Sequence, residues 1–166
     1  VVGISTTVLG GSQLAVIDRV TGGDIPKVDL KNCQNTFKSI YKLNLQRLMA
    51  SCHDLSDGGL CVALAEMAIG GGLGADINLE EVPLQDSDTV AQPNDFMSLL
   101  SVAFAETPGR FLIEVKEEDV PEVEQILRGS TWSWIGSVTN DNLLTIRGDK
   151  NSIVSQTLVN KLATAW

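Results

Sequence analysis

The sequence predicts an α/β domain, α+β in arrangement, with a mixed, largely antiparallel sheet and helices packed on it. Three observations predict this. Helix-period and strand-period segments interleave along 166 residues, a length that suits one domain. Two strand-like runs, 131–138 and 142–147, flank Thr139, Asn140 and Asp141 and read as a hairpin, which brings antiparallel pairing into the sheet. An apolar fraction of 43% supplies a core, and a chain of this length buries roughly 70% of its unfolded surface.

The elements follow in order. Residues 1–8, VVGISTTV, are rich in β-branched side chains and bounded by Gly10 and Gly11, so they read as a strand. A short helix follows over 12–19. Over 32–49, Phe37, Ile40, Tyr41, Leu45 and Leu48 recur at three- and four-residue spacings, which predicts an amphipathic helix with Asn32 as its N-cap. Residues 48–52 read as either a short buried strand or the tail of that helix, and HDLSDGG after them as a turn. Residues 60–69 are apolar nearly all round, with Glu66 the only charge, which predicts a helix buried on most sides; Gly70, Gly71 and Gly72 end it. Residues 75–79 alternate as a strand. The acidic stretch 80–93, with Pro83 and Pro93, reads as a loop. Residues 94–105 form a helix with Phe96, Leu99, Leu100 and Phe104 on its apolar side. Pro108 and Gly109 turn the chain into a strand over 110–115. A helix over 117–127 carries Pro121 in its first turn, where the missing N–H costs nothing. After the hairpin, 151–165 reads as a closing helix.

Charge and composition exclude several functions. A net charge of −9 argues against a nucleic-acid surface, which needs clustered Lys and Arg, and against an anionic membrane. No run has the 18 or so consecutive apolar residues of a membrane helix, and the uncharged first 17 residues lack the basic start of a secretory signal. Three cysteines, Cys33, Cys52 and Cys61, with one histidine fit no zinc pattern, and reduced thiols point to a cytoplasmic location. The first residue is Val rather than Met, so the chain is expected to be a piece of a longer protein.

The chemistry-bearing run is Ser51-Cys52-His53-Asp54-Leu55-Ser56-Asp57-Gly58-Gly59-Leu60. Gly58 and Gly59 remove side chains where a backbone can approach a ligand. The helix that starts there offers free N–H groups and a positive dipole end to phosphate oxygens. Asp54 can hold Mg²⁺, a hard cation that prefers carboxylate and phosphate oxygens. Ser56 can bond a phosphate or ribose oxygen, and Asp57 can cap the helix. The same residues equally describe an ordinary turn and cap, and a lone His53 is commonly a satisfied structural histidine. Cys52 and His53 are adjacent in sequence and form no convincing nucleophile and base.

HDLSDGGL at 53–60, with ALAEMAIGGGLGADINL at 63–79, resembles the second-half signature of the phosphoribosylformylglycinamidine synthase family. LGGSQLA at 9–15 resembles that family's LGGSE-type turn, GDIPKVDL at 23–30 the segment after it, and AETPGRFLIEV at 105–115 its SESxGRFLVEV-type strand. The matches run in family order. The wider superfamily includes aminoimidazole ribonucleotide (AIR) synthetase, selenophosphate synthetase, thiamin-phosphate kinase and a hydrogenase maturation protein. The LGGS turn favours the formylglycinamidine enzyme over these relatives.

The resemblance implies an AIR synthase C-terminal domain-like fold over 1–166 as a single domain, a fragment of a larger synthetase. It implies a ligase of purine biosynthesis that uses ATP and glutamine-derived ammonia: ATP phosphorylates the amide oxygen of formylglycinamide ribonucleotide, and ammonia displaces the phosphate. Carried over, Asp54 would be a Mg²⁺ ligand, Ser56, Gly58 and Gly59 would meet the nucleotide, ATP or tightly bound ADP, and Glu106 and Thr107 would face substrate. No residue of this chain is expected to be catalytic. The implied partners are an N-type domain of the same synthase, a glutaminase subunit or domain, and a small-molecule nucleotide substrate. The HDxSDGG version resembles the auxiliary one of two pseudo-symmetric sites, so a structural nucleotide role is the alternative. A domain cut from such an assembly is expected to expose an apolar patch near 1–8 and 58–69, which self-association of the isolated domain would cover.

Overall fold

The computed structural model describes residues 1–85 and 96–166. Its helices are α1 (Gln13–Ile17), α2 (Leu30–Leu45), α3 (Gly59–Gly71), α4 (Phe96–Phe104), α5 (Val120–Leu127) and α6 (Val159–Ala165). Its strands are β1 (Ser51–Asp54), β2 (Gly74–Asn78), β3 (Phe111–Glu114), β4 (Gly136–Thr139), β5 (Leu143–Arg147) and β6 (Ile153–Leu158). β1 and β3 pair antiparallel, and the other strands form a sheet in the order β4-β2-β5-β6. Only the β2–β5 pair in that sheet is parallel. The predicted mixed, largely antiparallel α/β architecture is therefore the one observed.

The small β1–β3 sheet is a wall with a core on each face. Val2 extends the wall by bridging Phe111 on one side and Trp132 on the other. Leu112 and Val1 face a core built on α3, α4 and the four-stranded sheet, with Leu60, Leu64, Ile77, Leu144 and Ile146 at its centre. Ile113 and Val2 face a second core made with α2 and α5, around Leu43, Leu48, Val123 and Leu127. Side chains alternate across a strand, so neighbouring residues of one segment serve the two cores. α3 packs against both sheets as well as α4 and α6. That explains its apolar circumference: Leu60 is wholly buried, worth about 1.5–3 kcal/mol for its side chain alone.

Several expectations change. The strand over 1–8 is reduced to bridges at Val2 and Ser5, because Gly3 breaks it with φ +107°. α2 is capped by Asp29 rather than Asn32, the Asp29 carboxylate accepting from the Lys31 and Asn32 amides at 3.0 Å. The strand after α2 starts at Ser51, not Leu48. The 131–147 hairpin does not form, because β2 inserts between β4 and β5 and pairs with both. The closing helix over 151–165 is instead β6, paired antiparallel with β5, then α6. Positive φ at Lys150 and Asn151 bars a helix start there. Most of the predicted 80–93 loop, the Asn94 start of the next helix and the Phe96 side chain lie outside the described residues.

The expected apolar patch is present only in part: Cys61, Val62, Ala65 and Ile69 line an open apolar cavity of about 530 Å³. Val1, Val2, Leu60 and Leu64 are at most 5% exposed, whereas Ile17, Ile25, Leu30 and Tyr41 are each more than 60% exposed. No helix among the described residues is long and apolar enough to cross a membrane.

Candidate functional site

β1 delivers the motif to the surface with its side chains alternating. Cys52 and Asp54 point outward, while Ser51 and His53 are half-buried. Leu55 then turns inward at 4% exposure, anchoring the turn in the core. Asp54 is 65% exposed on its side chain, and Ser56 and Asp57 beside it are exposed too. The turn thus brings the predicted metal ligand and the predicted hydroxyl together at an open rim.

His53 is held from both ring nitrogens. Nε2 lies 2.7 Å from Glu66 Oε2 on α3, and Nδ1 lies 2.6 Å from the Asp54 carbonyl. Glu66, the lone charge on α3, was the signal for this contact, but nothing local joins it to His53. The ring stiffens the backbone that aims Asp54. Partial burial and then the Asp54 carboxylate push the Cys52 thiol upward, which disfavours its thiolate.

The glycines serve the chain's own packing. Gly58 and Gly59 take φ of +76° and +65°, and a Cβ on Gly59 would stand 2.6 Å from the Ala105 carbonyl oxygen. Gly58, not Asp57, occupies the cap position of α3, with no side-chain cap bond. The Gly58 amide donates to Glu106 Oε1 at 2.8 Å, and the Gly59 amide donates to the Ser56 carbonyl at 3.0 Å. The Gly58 and Gly59 amides are thus engaged within the chain.

Glu106 is a junction. The same Oε1 also accepts from the Gln13 amide at 2.8 Å, tying the LGGSQLA turn to the DGG turn. Thr107 is 3% exposed. Its hydroxyl accepts from the Thr6 amide at 3.0 Å and shares a 2.9 Å bond with the Thr6 hydroxyl. Arg110 fixes the loop from inside: its guanidinium, 1% exposed, donates to the Thr107 carbonyl, the Ser5 hydroxyl and the Ala105 carbonyl. No carboxylate pairs with it among the described residues, and burial lowers its pKa to about 10, which leaves it a cation near neutrality. Thr107 and Thr6 line a cleft of about 350 Å³ that also contains Asp24, Lys27 and Asn32.

A metal would find limited support here. No group of three or more His, Cys, Asp or Glu side chains among the described residues is arranged to hold an ion. Mg²⁺ is commonly bound through one or two carboxylates plus phosphates and water, so the exposed Asp54 fits one ligand of a shared site.

The family model for AIR synthase related protein, C-terminal domain, matches residues 1–149. Phosphoribosylformylglycinamidine synthase subunit PurL of Thermococcus sibiricus is 34% identical over 155 residues, which is 93% of this chain and 20% of that protein. The Thermococcus kodakarensis subunit is 35% identical over 128 residues, 77% of this chain and 16% of that protein. The chain therefore spans about a fifth of the length of these relatives. Among solved structures, Thermotoga maritima PurL complexed with FGAR covers 97% of the chain at a TM-score of 0.76 and 20% identity, 27% of that structure being matched. The HypE–HypF complex covers 94% of the chain at a TM-score of 0.59 and 19% identity, 50% of that structure being matched; both likenesses show the fold. With a family model spanning nearly its whole length, this chain belongs to the AIR synthase related protein family, as a C-terminal domain.

Proposed function

We propose that the chain is the C-terminal lobe of a phosphoribosylformylglycinamidine synthase, an ATP-dependent ligase of purine biosynthesis with glutamine as amide donor, and that the lobe is inactive alone. The observation that carries this reading is the pair of outward side chains, Asp54 and Ser56, on one rim of a chain of this family. In the assembled enzyme an N-type domain closes over that rim, and Asp54 would hold a Mg²⁺ that offsets the charge of the nucleotide phosphates. Ser56 donates its hydroxyl to a nucleotide oxygen. Gly58 and Gly59 shape the turn rather than cradle phosphate, since their amides are used internally. Glu106 ties the two glycine turns together, Thr107 bonds Thr6, and the cleft that Thr107 borders is the substrate side. A glutaminase partner supplies ammonia, and the whole works in the cytoplasm.

The test is a calorimetric titration of Mg²⁺ with ATP into the full-length synthase. Asp54→Ala should weaken Mg²⁺-dependent binding by roughly tenfold or more, about 1.4 kcal/mol. Unchanged binding removes Asp54 from the site.

A second reading rests on the HDxSDGG run at 53–59, which resembles the auxiliary one of the family's two sites and suits a nucleotide kept as a structural ligand. Under this reading ADP raises the thermal midpoint of the full-length enzyme, and Asp54→Ala removes that shift while turnover at the other site persists.

A further inference from the structure

α2 has two apolar sides: the fold buries one and touches the other through Phe37, which meets Phe111 edge-on with ring centroids 5.8 Å apart. Its inner side buries Thr36, Ser39 and Leu43 and sets Ile40 against the core shared with α5. At about 100° per residue, Leu30, Phe37, Tyr41 and Leu45 fall on one outer ridge. They are 79%, 51%, 63% and 63% exposed. A ridge of that composition along roughly 24 Å of helix marks an interaction surface rather than scattered exposure.

Charge says what kind of surface fits it. Lys31, Lys38 and Lys42 share one strip along the flank of the ridge, and α2 contains no acidic residue. None of the three enters an ion pair among the described residues. This basic strip stands on a chain whose net charge is −9. A second copy's α2 has no carboxylate to offer these lysines, which disfavours helix-to-helix self-association. The overall negative charge of the chain opposes an anionic lipid surface.

We propose that the outer face of α2 docks a protein segment of complementary character: an amphipathic helix whose apolar anchors meet the Leu30–Leu45 ridge and whose flanking Asp or Glu residues pair with Lys31, Lys38 and Lys42. This is the helix-against-helix mode of recognition, with apolar anchors giving affinity and charges giving register. It stands independently of the nucleotide reading.

The experiment uses the full 166-residue chain and two synthetic helical peptides with the same leucine ridge, one flanked by glutamate and one by lysine. Fluorescence anisotropy should show the glutamate-flanked peptide binding at least about tenfold more tightly. Lys38→Glu combined with Lys42→Glu should reverse the preference. Tyr41→Asp combined with Leu45→Asp should abolish binding, and an unaltered circular dichroism spectrum and melting midpoint would show that the fold is kept. Equal binding of both peptides, or of neither, overturns the proposal. So does preferential binding to phosphatidylserine vesicles, or a dimer in sedimentation that Tyr41→Asp dissolves.

Discussion

Arg110 stays charged in the interior because three acceptors ring it, which is how a buried cation is tolerated. Ser5→Ala removes one of the three at a wholly buried site and should cost about 1–3 kcal/mol, read as a lowered urea midpoint.

At the scale of elements, glycines separate places where backbone crosses backbone from places where it does not. The connection from β4 to β5 passes over the end of β2, and Asp141 Oδ1 closes it by accepting from the Thr139 hydroxyl at 2.6 Å and the Leu143 amide at 3.1 Å. A Cβ on Gly74 would stand 2.5 Å from Asp141 Oδ1, Thr139 Oγ1 and the Leu143 carbonyl oxygen. Gly74→Ala should cost about 2–3 kcal/mol. Gly70 on α3 has open space around its Cβ position, so Gly70→Ala should gain about 0.5–1 kcal/mol from helix propensity. Denaturant unfolding of the two variants checks both signs. The same crossing explains what could be read beforehand. Thr139, Asn140 and Asp141 announce a turn through local chemistry, but nothing local says that Gly74–Asn78 will enter between the strands. β6 was hidden because Ile153, Val154, Thr157 and Leu158 fall at helical spacings, and only their β-branching points to a strand. Asp54 and Ser56 were legible because their motif is contiguous. The Glu106 bonds to Gly58 and Gln13 were not, because they join residues 48 and 93 positions apart.

For the whole molecule, the question is whether two cores make two folding units. The wall between them argues for one. Val1 and Val2 are successive residues that feed different cores, and so are Leu112 and Ile113. Neither core can lose its packing without freeing the strand that forms the other's floor. The Val2 amide and carbonyl both bond Phe111, at 2.8 Å each, and the Gly3 amide bonds the Thr131 carbonyl at the same distance, so the wall shears as a unit. Leu60→Ala in one core and Leu43→Ala in the other, both at fully buried sites, should each cost about 2–5 kcal/mol. Each should shift the whole transition rather than half of it. With Trp134 and Trp166 replaced by phenylalanine, Trp132, which packs against the second core, reports on it through fluorescence, while far-ultraviolet circular dichroism reports on both. For either variant the two curves should coincide, as an all-or-none transition requires. If Leu60→Ala moved the dichroism curve and left the tryptophan curve in place, the cores would be separate units and the wall only a boundary between them.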